Sequence, residues 1–170
     1  MRWYTTLLGK HPFATQALTT GALFLAGDVI AQTLVERTQY KAERSLRLVF
    51  FGTCIAGPAM VLWYRFLAKN IVNQSPNRNT LVRVACDQLL FSPVFLGLFF
   101  LNSELWQGHS AEQVQVKFEN QYVNTLIGNW GLWPFVQMIN FRLVPLNHQA
   151  LLVNTVGLGW NTYLSYVASR

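Results

Sequence analysis

Residues 129–166, NWGLWPFVQMINFRLVPLNHQALLVNTVGLGWNTYLSY, restrict the possible folds more than any other stretch of the chain. They carry no acidic or basic side chain apart from Arg142 and His148. Yet the stretch is not plain hydrocarbon. Asn129, Trp133, Gln137 and Asn140 recur at spacings of four, four and three, which places them on one face of a helix. Asn154, Gly157, Asn161 and Ser165 repeat the arrangement further on. Such helices are too apolar for a water-facing surface and too polar on one side for lipid all round. Each needs the other, or water, to satisfy its amides. The expected setting is the interior of a small membrane bundle.

The totals agree. Charged residues make up 12% of the chain, about half the roughly 25% of an ordinary soluble domain. Aromatic residues reach 14% and the mean hydropathy is positive. Too few charges remain to cover a soluble surface. At 170 residues, one integral membrane domain over 1–170 is expected. The net charge is +6, but most Lys and Arg lie in short segments between apolar runs. There they suit anionic lipid head groups, such as cardiolipin, better than nucleic acid. Cys54 and Cys86 both sit in apolar segments, form no disulfide framework, and read as small buried residues. The N-terminus lacks the compact apolar core and cleavage site of a secretory signal. With no acidic residue before Asp28 it is compatible with mitochondrial import, and no removable presequence is apparent.

Five apolar segments follow in order, at about 13–35, 48–67, 81–101, 123–141 and 150–166. The first is long enough to cross about 30 Å of hydrocarbon as a helix. Its Gly27 and Ala31 form a small-xxx-small pair where another helix can approach. Pro58, Pro93 and Pro134 fall one each in segments two, three and four, so these helices are expected to kink or break. Backbone groups freed in a membrane must be packed in protein or face water, which favours a polar seam. The connection at 36–47 is heavily charged, and 70–80 reads as a loop. Ser110 and Gln113 have capping-box spacing. Val114, Phe118 and Tyr122 then form the apolar stripe of an amphipathic surface helix. If all five segments cross, each side receives six cations, so the positive-inside rule assigns no orientation. Arg142 and Pro145 mark the break before the last segment.

Asp28 and Asp87 are the sharpest chemical features. A carboxylate at the centre of a membrane helix costs about 2.5–3.5 kcal/mol on insertion scales and requires a partner or a cavity. Arg65 and Arg142 are the cations within or beside the apolar segments. Two readings follow. Asp28, Gln32, Arg65, Asp87, Gln88, Asn129, Trp133, Gln137, Asn140, Arg142 and Asn161 line a solute path, or they form buried pairs and interhelical hydrogen bonds. Trp63, Trp130, Trp133 and Trp160 read as interface belts and packing. There is no Gly-x-Ser-x-Gly elbow and no phosphate-cradling glycine loop. His11, His109 and His148 stand singly in connections without metal-ligand spacing, and Glu104 and Glu112 suggest no acid/base pair. Surface and loop roles are expected for all of them. No enzyme activity, cofactor or metal is expected.

Several stretches resemble one family: Gly27-Asp28-Val29-Ile30-Ala31-Gln32, Gly57-Pro58 with Trp63-Tyr64, and Asp87-Gln88 with Phe91-Ser92-Pro93. They are followed by Asn129-Trp130, Trp133-Pro134, Gln137, Asn140-Phe141, Val144-Pro145-Leu146 and 160–165, WNTYLS. In this order the chain resembles the family of the twenty-two-kilodalton peroxisomal membrane protein and "Mpv-seventeen", in its mitochondrial inner-membrane, fungal "Sym-one"-like branch. Gln149 departs from it, since the family usually has a basic residue shortly after Val-Pro-Leu. The resemblance implies an all-helical polytopic protein, usually described with four transmembrane helices, in the mitochondrial inner membrane, with the peroxisomal membrane as the alternative. It also implies a channel of low selectivity for small solutes that acts on metabolite balance and membrane potential. A homo-oligomer is expected, with small solutes and membrane lipid as partners. An alternating-access carrier and a non-conducting scaffold are the alternatives.

Overall fold

The computed structural model describes residues 2–37, 39–72, 75–106 and 108–168, with the side chains of all of these except Arg2, Thr5 and 161–168. Among the described residues there are helices and no strand. The helices are α1 (Arg2–Lys10), α2 (Pro12–Ile30), α3 (Ala42–Phe50), α4 (Gly57–Asn70), α5 (Pro76–Cys86), α6 (Ser92–Trp106), α7 (Ala111–Lys117), α8 (Val123–Leu143) and α9 (Leu146–Ala168). Three are long and apolar enough to cross a membrane once their continuations are included: Pro12–Val35, Ala42–Asn70 and Pro76–Trp106. The fourth and fifth expected segments are helical too, as α8 and α9, but their amide stripes leave them less apolar on average.

The continuations are π-helical. Ala31–Val35 extends α2, Phe51–Ala56 joins α3 to α4, Asp87–Phe91 joins α5 to α6, and Phe118–Tyr122 joins α7 to α8. The backbone N–H of Gly57 reaches Gly52 O, and that of Ser92 reaches Asp87 O, both five residues back. Each donor stands immediately before a proline, Pro58 or Pro93. A proline gives its i−4 carbonyl no hydrogen, and a widened turn absorbs the mismatch without breaking the helix. Pro134 lies inside α8, with no π stretch beside it. The expected loop at 70–80 is shorter than the sequence suggested. Pro76 starts α5, where its missing N–H costs nothing. Val144 is extended (φ −95°, ψ 126°), as residues before proline tend to be, and ends α8 at the expected break.

The chain forms two compact units: Met1–Arg65 with Pro145–Arg170, and Phe66–Val144. In the first unit α2 packs on α3, on the π stretch Phe51–Ala56, and on α9. The approach is set by glycines. A Cβ on Gly57 would lie 2.6 Å from Ala17 Cα, and one on Gly52 would lie 3.0 Å from Gly21 Cα, so two backbones nearly touch. The Gly27–Ala31 pair meets α9 at a looser distance, with Leu158 Cγ 3.6 Å from a Cβ built on Gly27. Cys54 is exposed rather than buried, because Phe51, Gly52 and Ala56 occupy the inward side of its turn. Gln149, where the family pattern has a base, is buried at 4% exposure and does not face lipid.

In the second unit α5, the Asp87–Phe91 stretch and α6 pack on α8. The helix starting at Ala111 carries the expected capping box, with Gln113 N–H donating to Ser110 Oγ and Ser110 N–H to Gln113 Oε1. Its stripe is satisfied by aromatic packing within the unit. Phe118 stacks on Tyr122 at 5.4 Å, Phe100 of α6 meets Phe118 at 5.7 Å, and Tyr122 Oη donates to Pro93 O at 2.9 Å.

The close backbone approach predicts the most sensitive glycine. Gly57→Ala should destabilise by about 1–3 kcal/mol, because a backbone atom rather than a flexible side chain must move. Gly128→Ala, with nothing within 4 Å, should be neutral or better in a helix. Thermal unfolding of the purified protein in detergent reads both. Equal midpoints for the two variants would contradict the packing described.

Candidate functional site: two buried carboxylate clusters

Each unit holds one buried Asp beside a π-helical stretch. In the first, Asp28 is 4% exposed and stands one turn before Gln32. Its Oδ2 accepts from Ser45 Oγ at 2.6 Å and from Gln32 Nε2 at 2.8 Å. Its Oδ1 lies 2.7 Å from Arg44 Nε, a close ionic contact without hydrogen-bond alignment. Arg44 turns its outer nitrogens to Glu36, as a two-pronged pair at 2.8 and 3.0 Å. Gln32 closes the cluster by accepting from Lys41 N–H at 2.6 Å. This connection turns through Arg37, whose φ of 51° is left-handed.

Sequence reasoning expected Arg65 or Arg142 to serve the carboxylates. Both are exposed. Arg65 lines a crevice with Gln16, Tyr64 and Asn147 that is too tight for a water molecule. Asp28 takes Arg44 instead, because the short connection folds the first turn of α3 back against the end of α2. The signal was present: the connection between two apolar helices is rich in charge, and Ser45-Leu46-Arg47 continues it into the helix.

In the second unit Asp87 is 2% exposed. Its Oδ2 accepts from Gln88 Nε2 at 2.8 Å and from Gln137 Nε2 at 2.9 Å. Asn140 Nδ2 in turn donates to Gln137 Oε1 at 2.8 Å, and Trp130 Nε1 donates to the Gln88 carbonyl at 3.1 Å. The stripe read from α8 is thus real but graded. Asn129 and Trp133 are half-buried, while Gln137 and Asn140 are fully inside. On α9, Asn154 serves the first unit, its Nδ2 donating to Thr20 Oγ1 at 2.7 Å. The side chain of Asn161 lies outside the described residues.

One ionic cluster escaped sequence reasoning. Glu104, expected at a surface, is 1% exposed near the end of α6. Its carboxylate takes Lys117 Nζ on one oxygen and His109 Nδ1, at 2.6 Å, on the other. Gly108, at φ +73°, makes the turn that brings His109 back. Only the tertiary turn joins the three, since thirteen residues separate Glu104 from Lys117. Among the described residues no three His, Cys, Asp or Glu side chains form a group able to hold a metal ion.

Comparison with known proteins decides the family. The Mpv17 / PMP22 family model matches residues 104–165. "Protein sym-1" of Neurospora crassa is 43% identical over 98% of this chain and 98% of its own. The chain belongs to the Mpv17/PMP22 family. Within it, the "Mitochondrial inner membrane protein Mpv17" of Xenopus laevis is 38% identical over 99% of this chain and 97% of its own. "Protein SYM1" of Saccharomyces cerevisiae is 38% identical over 98% and 89%. No solved structure matches. With these relatives and its membrane-length helices, the family member described here is a multi-pass protein of the mitochondrial inner membrane.

The Asp28 cluster predicts a rescue. Arg44→Met leaves a buried carboxylate without its cation and should cost about 2–3 kcal/mol, below the range for fully buried pairs because Arg44 is partly exposed. Adding Asp28→Asn to that variant should recover at least half of the loss, since the buried charge is then gone. Unfolding midpoints of the three variants in one detergent measure this, and a double variant worse than Arg44→Met would contradict it.

Proposed function

We propose that this protein is a pore of low selectivity for small solutes in the mitochondrial inner membrane, acting on metabolite and membrane-potential balance. One observation carries the reading. In each unit a buried carboxylate and an amide, Asp28 with Gln32 and Asp87 with Gln88, sit in or next to a π-helical stretch of an apolar helix long enough to cross the membrane. A buried carboxylate is costly in lipid and π turns are frequent at functional sites, so their coincidence favours a polar path or a helix that moves. The Asp28 cluster also has the form of a latch: Arg44, 42% exposed, bridges buried Asp28 to Glu36 at the charged connection.

The hydrogen bonds described for Asp28 and Asp87 stay within their own units, so a conducting path calls for more wall than one chain turns inward. A homo-oligomer supplies it. Exposed Arg37 and Lys41, beside the latch, suit anionic head groups such as those of cardiolipin. A second reading, a non-conducting scaffold, is favoured by the same saturation of Asp28 by Arg44, Ser45 and Gln32. On that reading the clusters only hold helices together.

Flux from liposomes containing the purified protein, with solutes graded in size and charge, separates the two. Single-channel recording runs alongside. The pore reading expects size-limited leakage and discrete currents, with ion preference altered in Asp28→Asn or Asp87→Asn. Sealed liposomes and silent bilayers, from protein shown to be folded, would leave the scaffold.

A further inference from the structure

We propose that the turn before Pro93 is a hinge in the membrane-length helix Pro76–Trp106, and that the indole of Trp130 is its lock. The inference does not rest on the pore reading. It starts from a missing hydrogen. In a helix the Gln88 carbonyl has two possible backbone donors, Ser92 in an α turn and residue 93 in a π turn. Ser92 N–H goes to Asp87 O, five residues back, and Pro93 has no N–H to give. The Gln88 carbonyl therefore loses its place in the helical ladder where the turn is widest. Trp130 of α8 supplies the hydrogen instead, its Nε1 donating to Gln88 O at 3.1 Å.

Both arms of the helix are fastened to the segment that carries Trp130. Before the turn, Asp87 Oδ2 accepts from Gln137 Nε2 of α8 at 2.9 Å. After it, Pro93 O accepts from Tyr122 Oη at 2.9 Å. Gly97 then faces the rings of Phe118 and Tyr122, 3.9 and 4.0 Å from where a Cβ would stand. Between these fastenings the turn lacks one ladder bond of its own and is bridged by the indole.

An indole N–H can only donate, and a backbone carbonyl in an apolar setting must find a donor or water. The turn stays closed while Trp130 donates. When the indole swings away, the Gln88 carbonyl needs water, and the arms can part beside Asp87. Gln88 is 6% exposed, whereas Trp130 is 41% exposed. The lock can thus be reached from outside the unit, although the bond it completes is inside.

The test is hydrogen exchange of the full-length protein in nanodiscs, read by mass spectrometry over peptides covering 88–97. Trp130→Phe removes the donor and should speed exchange there about tenfold, the worth of one hydrogen bond. Pro93→Ala restores the backbone N–H, so it should slow exchange in the same peptides, and adding Trp130→Phe to it should then change little. Ordinary packing by Trp130 would be weakened equally with either residue at 93. Equal acceleration in both backgrounds, or none in the first, overturns the assignment. Spin labels on Leu81→Cys and Leu105→Cys, both exposed positions, report the arms once Cys54 and Cys86 are replaced by serine. Their distance distribution should broaden in Trp130→Phe and narrow again when Pro93→Ala is added, and a distribution that does not move overturns the hinge. Should Trp130→Phe fail to fold, Pro93→Ala alone decides. Slower exchange over 88–97 then supports the hinge, and an unchanged rate sinks it.

Discussion

A carboxylate inside an apolar helix must be given donors, and much of this structure follows from how Asp28 and Asp87 obtain them. For Asp28 the solution is ionic and local. The connection after α2 turns sharply enough for Arg44 and Ser45 to reach back, and the same arginine holds Glu36. For Asp87 the donors in view are amides from its own helix and from α8, fifty residues away. The two clusters thus anchor different kinds of joint. One seals a turn between consecutive helices, and the other ties distant helices at membrane depth.

The backbone is arranged for the same end. Four long helices each include one π-helical stretch, and two of these end two residues before a proline. A regular helix broken at Pro58 or Pro93 would leave carbonyls exposed to hydrocarbon. A π turn keeps most of the bonds and changes the phase of the side chains that follow. That phase shift lets one apolar helix present a polar group inward at one level and an aromatic or glycine contact at the next. In the first unit it coincides with the glycine approach of Gly52 and Gly57 to α2, where two backbones nearly touch.

Much of this was legible beforehand. Helical periodicity exposed the stripe on α8, Pro58 and Pro93 marked two of the irregular turns while Pro134 lies in regular helix, and the Ser110–Gln113 spacing announced a cap that formed as expected. Partner choice was not legible. Arg65 and Arg142 are nearer than Arg44 to the apolar segments in composition, yet both point outward. Glu104 looked like a surface acid and is nearly inaccessible, because Gly108 turns the chain and brings His109 and Lys117 to it. Cys54 looked buried by the polarity of its neighbours and is exposed.

By itself the sequence determined that this chain is an all-helical membrane protein with the ordered motifs of the Mpv17/PMP22 family. Hydropathy, few charges and the 3.6-residue period are properties of single segments and need no knowledge of what lies beside them. Only the tertiary structure decided which donor each buried acceptor receives and which acid is hidden. Those outcomes depend on distances of about 3 Å between residues up to fifty or more apart in the chain, as for Asp87 with Gln137. A hydrogen bond lost over less than an ångström cannot be read from spacing along a sequence.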